Sequence, residues 1–122
     1  MSNDTRMHSE SAKGEDAIVD QNRLFSAMGS RRSRLALAYL HEHDDQLSLA
    51  DLADEVAVAE HDRSVADVPA EAVKRVHVSL YHNEVPKLRN LGLVAYEQER
   101  DLVALSEDGA DATSLLIELD LL

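Results

Sequence analysis

A run of basic, amide and hydroxyl side chains recurs at helical spacing between residues 74 and 90. Arginine and lysine pair with phosphates, and asparagine and arginine can make paired hydrogen bonds with the edges of adenine and guanine. The spacing predicts that these side chains share the helix face opposite an apolar stripe, where they could contact DNA. An ordinary solvated polar face would have the same composition, so both interpretations stand at this level. The set comprises Lys74, Arg75, Ser79, His82, Asn83, Lys87 and Arg89.

Two roles are expected within this set. The positive side chains would hold the phosphate backbone, whereas Ser79, His82 and Asn83 would read base edges near a bend imposed by Pro86. A second positive cluster, formed by Arg31, Arg32 and Arg34, lies at the start of an earlier predicted helix. Because a helix N-terminus attracts anions, this cluster could contact phosphate, or it could pair with the many nearby carboxylates.

Metal and enzyme chemistry have little basis in the sequence. The chain has six histidines and no cysteine. His41 and His43 are two residues apart and His77 and His82 are five apart, so neither pair has the i, i+4 spacing of a helical zinc site. The sequence also lacks a glycine-rich phosphate loop and a nucleophile elbow. We therefore expect no metal site, no cofactor and no enzymatic activity.

Capping residues and apolar periodicity define the helices that would position these groups. Ser30 is placed to cap a helix over 31–41, and Ser48 to cap a second helix from Leu49 to about Glu60. Leu47 between them predicts a strand of one or two residues. A third helix follows Pro69, is kinked or divided near 82–85 by Pro86, and ends at Gly92.

A short alternating hairpin follows this long helix. Its predicted strands are 93–96 and 102–105, and the connecting tip is Glu97-Gln98-Glu99-Arg100-Asp101. The order of helix and hairpin is that of a recognition helix and a β-wing, although a wing that grips phosphates would be richer in lysine and arginine. A turn over 106–109 then leads to a final helix, 110–122. The apolar end of that helix would either dock on its own core or form a dimer contact.

The segments SRRSRLALAYLHEH, LSLADLADEVA and SLYHNEVPKLRNLGLVAYE together resemble a haloarchaeal family of uncharacterised winged-helix domains. Within them, Val85–Val94 is similar to the exit of the recognition helix in prokaryotic winged-helix regulators, and 105–109 resembles the turn that often follows the wing. The resemblance covers roughly residues 22–106. It implies a winged helix-turn-helix fold and a role in transcription regulation.

The charge balance is likewise typical of proteins from salt-loving archaea. The chain carries 24 acidic and 12 basic residues, for a net charge of −12. Its lysines are only Lys13, Lys74 and Lys87, and acid-rich, lysine-poor surfaces without cysteine are typical of salt-loving archaea. An acidic face evolved for one basic partner is the alternative. The sequence shows neither a signal peptide nor a membrane span, so we expect a cytoplasmic protein.

Taken together, these features predict a mainly α fold with a small β-hairpin, arranged as a winged helix-turn-helix. Residues 1–19 would be a disordered tail, 20–106 the winged-helix domain and 107–122 a C-terminal helix. The expected function is DNA-binding transcription regulation by a homodimer joined through that helix, with two recognition helices about 34 Å apart on double-stranded DNA. A winged-helix module that binds a protein instead of DNA is the alternative.

Overall fold

A computed structural model describes residue 22 and residues 24–122. The predicted disordered tail lies outside the described residues. A helical segment over residues 24–28 comes first. The elements after it are α1 (Arg31–Glu42), β1 (Gln46–Ser48), α2 (Leu49–His61), α3 (Ala70–Ser79), a π-helical turn (Leu80–Glu84), α4 (Val85–Asn90), β2 (Val94–Glu97), β3 (Leu102–Leu105) and α5 (Glu107–Glu118).

Serine side chains begin three of these helices. The Ser30 hydroxyl accepts a hydrogen bond from the Ser33 amide at 3.3 Å, and the Ser48 hydroxyl accepts one from the Asp51 amide at 3.0 Å. Each bond satisfies an amide that has no partner inside its own helix, which explains why α1 and α2 begin where they do. Both N-caps were predicted, and both are confirmed.

The third serine cap corrects a prediction. We expected a turn over 106–109 and a helix from residue 110, but α5 begins at Glu107 because the Ser106 hydroxyl accepts from the Gly109 amide at 2.8 Å. The supposed turn is the first turn of the helix. The helix also ends at Glu118 and does not reach the last residue.

The sheet has three antiparallel strands in the order β1-β3-β2. The predicted hairpin is present, with β2 and β3 paired from Val94 opposite Leu105 to Glu97 opposite Leu102. Leu47 belongs to a strand of three residues, slightly longer than predicted, and lies opposite Val103 of β3. This pairing joins the segment between α1 and α2 to the hairpin, so the hairpin is held at a fixed place beside the helices.

The core lies between the helices and the inner face of the sheet. Its largest fully buried side chains come from α1 to α5, the π-helical turn and β3, and Thr113 and Leu116 are the contribution of α5. The C-terminal helix therefore docks on its own domain along one face. Apolar side chains on either side of Leu116 remain exposed, with Leu115 and Ile117 each 44% exposed, and Leu119 just after the helix is 57% exposed.

Glycine ends the long helical region before the hairpin. Gly92 has a φ of 78°, a left-handed conformation that favours glycine over other residues. The Gly92 amide donates to the Arg89 carbonyl at 2.9 Å, and the Leu93 amide donates to the Leu88 carbonyl at 2.9 Å. These two bonds close the helix in a Schellman motif and turn the chain into β2, as predicted.

Within the described residues, no helix is long and apolar enough to cross a membrane.

Candidate functional site

The helical region from α3 to α4 is interrupted by the π-helical turn Leu80–Glu84. Proline lacks an amide hydrogen, so Pro86 cannot donate the bond to His82 that an α-helix would need at that position. The chain accommodates this with a wider turn, in which the Val85 amide donates to the Leu80 carbonyl five residues earlier. The predicted division of this helix is thereby confirmed, and its form is a π turn.

The π turn widens the exposed surface of the helix. In α3, Lys74, Arg75 and Val78 are exposed, while Val76 on the opposite side is buried. One turn later three consecutive residues, 81 to 83, are all exposed because the π turn holds one more residue than an α turn. We call this surface the exposed helix face, and its members are Lys74, Arg75, Val78, Tyr81, His82 and Asn83.

Most of the side chains predicted to contact DNA are accessible. Between residues 74 and 89, five of them are exposed, and Ser79 and Lys87 are half-buried. The five are Lys74, Arg75, His82, Asn83 and Arg89. Arg31 and Arg32 lie on a separate helix, α1, where Arg31 is exposed and Arg32 is half-buried.

The Ser79 hydroxyl is committed to an internal hydrogen bond. It lies 2.9 Å from both carboxylate oxygens of Glu84, to which it donates, and the Asn83 amide donates to the same hydroxyl at 3.5 Å. Glu84 is only 8% exposed. Ser79 therefore holds the buried end of the π turn, whereas Asn83 keeps its amide oxygen available on the exposed helix face.

The arginine cluster joins α1 to its neighbours. Arg32 Nε donates to Glu60 at 2.5 Å and 3.0 Å, which is the carboxylate pairing that the sequence left open as an alternative to phosphate contact. This hydrogen bond raises the pKa of Arg32 above its ordinary value, and the nearby carboxylate of Glu84 adds to the effect. Arg31 and Arg34 donate to the backbone carbonyls of Ala59 and Met28. The cluster thus ties the start of α1 to the end of α2.

Aromatic contacts connect the exposed helix face to the hairpin. The ring of Tyr81 packs edge-on against Tyr96, with centroids 6.1 Å apart, and against His82 at 4.9 Å. The Gln98 amide donates to the Tyr81 hydroxyl at 3.1 Å. The Tyr96 hydroxyl in turn donates to Asp101 at 3.0 Å. Burial raises the pKa of Tyr96, and the bond to Asp101 raises it further.

Sequence reasoning missed Val78, Tyr81 and Gln98 as candidate site residues. Val78 lies three and four residues after Arg75 and Lys74, and this spacing could have placed it on the same face. Gln98 had no such signal, because its contact with Tyr81 spans 17 positions of the sequence.

The tip of the hairpin carries mostly negative charge. Gln98–Arg100 form a short 3-10 turn, and the only basic side chain there, Arg100, pairs with Glu97 at 3.4 Å. Both partners are well exposed, so this pair contributes little to stability. The tip therefore offers no unpaired cation to a phosphate. This agrees with its sequence, which is poorer in lysine and arginine than a wing that grips phosphates would be.

One group of side chains could bring three metal ligands together. Glu42, His43 and Glu55 each offer a donor atom, and these atoms lie within 4.8 Å of one another. Histidine spacing along one helix does not indicate this group, because its members come from α1, the turn after it and α2. His43 Nε2 and Glu55 are already paired at 2.7 Å, and an exposed pair of this kind forms without an ion.

The outer face of the sheet holds a shallow cavity of about 300 Å³. Ala95 and Ala104 form its floor, because small side chains face each other there on β2 and β3. Glu97 and Arg100 stand at its edge, and they pair with each other. The cavity offers no arrangement of nucleophile and base.

These features describe a small helical domain with a three-stranded antiparallel sheet and a mixed basic and apolar helix face beside the hairpin. The chain belongs to the family of the domain of unknown function DUF7344, whose model matches residues 25–104. The match includes the exposed helix face and most of the hairpin, and it ends before α5. No curated protein and no solved structure matches the chain.

Proposed function

We propose that this protein is a DNA-binding transcription regulator built as a winged helix, with α3 to α4 as the recognition helix and the β2–β3 hairpin as the wing. The element order supports this reading, because a helix, a short strand, two further helical regions and a hairpin follow one another as in that fold. The strand order β1-β3-β2, with the hairpin joined to the strand after α1, supports it as well.

The observation that carries the proposal is the exposed helix face. It displays Lys74 and Arg75 on a chain whose net charge is −12, so positive charge is concentrated where a recognition helix would enter the major groove. His82 and Asn83 follow at the exposed π turn and offer hydrogen-bonding groups for base edges. The acidic hairpin tip would stay away from the phosphates, and the helix would supply most of the contact.

A homodimer is part of the proposal. The C-terminal segment exposes Leu115, Ile117, Leu119 and Leu121, which we call its apolar surface, and a second copy could cover these side chains. Two copies would place two recognition helices about 34 Å apart, which suits a pseudo-palindromic site.

Selection of fragmented genomic DNA by the purified protein in molar KCl, followed by sequencing, tests this function. We expect enrichment of a few sites that share an inverted repeat. Lys74→Gln should reduce the recovery, whereas Gln46→Glu on β1 lowers the net charge by the same amount away from the helix face and should not. No enrichment by a protein shown to be folded would overturn the proposal.

The competing function is a protein-interaction module, and the acidic hairpin tip is the observation that favours it. Such a module would hold a basic partner at Glu97, Glu99 and Asp101. The same selection separates the two functions. If DNA is not enriched, capture of a basic partner that Glu97→Gln weakens would support the second one.

A further inference from the structure

The centre of the exposed helix face is apolar. Val78 is 50% exposed, with Lys74 and Arg75 one turn before it and Tyr81 and His82 one turn after it. The apolar side chains that pack in the core belong to the opposite face of the helix. Val78 therefore has no part in the core, and it presents its two methyl groups between basic and aromatic neighbours.

Tyr81 extends this apolar centre and is held in place. It is 37% exposed, its ring packs on Tyr96 and His82, and its hydroxyl accepts from Gln98. A ring fixed by three neighbours loses little conformational freedom on binding. Val78 and Tyr81 thus form a preorganised apolar strip, with Lys74 and Arg75 at one end and His82 and Asn83 at the other.

The charges around the strip identify its ligand as an anionic one that also displays small apolar groups. Lys74 and Arg75 lie beside the strip although the chain as a whole carries a net charge of −12. The major groove of DNA has this combination, because phosphates line it and the C5-methyl group of thymine projects into it. G·C pairs present only polar groups there, so an apolar strip discriminates in favour of A·T pairs.

We propose that Val78 and Tyr81 read thymine methyl groups, so that the recognised DNA sequence has thymine at the positions that face this strip. The inference rests on the proposed function and names the base that the recognition helix selects. Contact between apolar groups releases no counterions, so this part of the affinity persists at salt concentrations that weaken phosphate contacts.

The test removes only the methyl group. A randomised duplex pool is prepared once with thymidine and once with deoxyuridine, and each pool is selected with the full chain. For the sequence recovered from the thymidine pool, each thymine is then replaced in turn by uracil. Loss of one buried methyl should weaken binding of the wild-type protein roughly fourfold at the position that faces Val78.

Variants connect the effect to the residue. In Val78→Ala, the same uracil replacement should cost no further affinity, because the partner of the methyl group is already absent. Val65→Ala, which shortens a valine that is 64% exposed on a different segment, should retain the full difference between thymine and uracil.

The outcomes are distinguishable. DNA binding with equal affinity for thymine and uracil at every position would overturn this inference and leave the proposed function intact. A uracil effect that is undiminished in Val78→Ala would also overturn the assignment to Val78. A folded chain that selects no duplex from either pool would overturn the proposed function and this inference together.

Discussion

Gly109 lies directly against the carbonyl group of Leu93, so closely that a Cβ atom built on Gly109 would be 1.8 Å from the carbonyl oxygen. The surrounding hydrogen bonds explain this approach. The Ser106 amide donates to the same Leu93 carbonyl at 3.0 Å, and the Ser106 hydroxyl donates to the Gly92 carbonyl at 2.6 Å. The start of α5 is thus bound to the chain just after α4, at Gly92 and Leu93.

Gly109→Ala should therefore destabilise the protein by about 1–3 kcal/mol, because the obstructing atoms belong to the backbone and cannot rotate away. The free energy of unfolding, measured by urea denaturation in molar KCl, checks this. Gly29→Ala is the matched control, since the nearest atom to its new Cβ is the Ser26 carbonyl oxygen at 3.4 Å. The control should change stability by no more than about 0.5 kcal/mol. Equal effects of the two substitutions would contradict this account of Gly109.

Tyr96 should make the stability of the hairpin depend on alkaline pH. Burial and the hydrogen bond to Asp101 raise the pKa of Tyr96 above its ordinary value. The folded state then binds the phenolic proton more tightly than the unfolded state. The contribution of Tyr96 to stability is complete below about pH 10, the pKa of tyrosine in the unfolded chain. It is lost as the pH rises through the higher pKa that Tyr96 has in the folded state.

Ultraviolet titration of tyrosinate checks this behaviour. The ring of Tyr81 packs against Tyr96, so the comparison is made in a Tyr81→Phe background. There the difference between the titration curves with and without Tyr96→Phe isolates Tyr96, and its midpoint should lie above about 10. Tyr39, whose pKa is also raised by burial, contributes equally to both curves and cancels. Asp101→Asn should lower the midpoint because it removes the acceptor charge. A midpoint at or below the ordinary value would contradict the raised pKa, and a midpoint that Asp101→Asn leaves unchanged would show that the bond to Asp101 does not contribute to it.

Features caused by neighbouring residues were predicted well from the sequence. Ser30, Ser48 and Gly92 cap helices through bonds to residues a few positions away, and Pro86 divides its own helix. The start of α5 was placed three residues too late because Ser106 was interpreted as part of a turn. A serine followed by acidic residues suits a turn as well as a helix N-terminus, and the hydrogen bond from the Gly109 amide to the Ser106 hydroxyl marks the helix N-terminus.

Features that depend on distant residues could not be predicted in the same way. Arg32 and Glu60 are 28 positions apart, so their pairing follows from how α1 and α2 pack together. The contact between Tyr81 and Gln98 likewise requires the hairpin to fold back on the helical region from α3 to α4. Sequence periodicity located most of the exposed helix face, but it did not show that Ser79 donates its hydroxyl proton inward to Glu84.

Asn83 and Lys87 should have different effects on DNA binding. Asn83 is exposed and keeps its amide oxygen free, so Asn83→Ala should change which sequences are preferred. Lys87→Ala should weaken all DNA sites about equally and reduce the slope of log affinity against log salt by about 1, because it removes one phosphate contact. Selection from a randomised duplex pool, with titrations at several KCl concentrations, measures both effects. Equal loss at every site for both variants would contradict base reading by Asn83.

A higher salt concentration should strengthen the dimer, although it weakens contacts with phosphate. The apolar surface of the C-terminal segment is flanked by Glu118 and Asp120, and the last turn of α5 carries no basic residue. Two copies that meet through this surface bring like charges together. Added KCl screens that repulsion, so the dimer should become more stable as the salt concentration rises.

Sedimentation velocity over a KCl series checks this, and a substitution identifies the surface. Leu119→Asn replaces a side chain that is 57% exposed, so it should shift the protein to monomer with little loss of stability. Val65→Asn makes a similar change at a position that is 64% exposed and distant in sequence from α5, and it should leave the dimer unchanged. A protein that is monomeric at every salt concentration, or a dimer that Leu119→Asn does not weaken, would show that this surface is not the dimer contact. A monomer would also bind only one half of an inverted repeat, so Leu119→Asn should reduce affinity for the full site far more than for a single half-site.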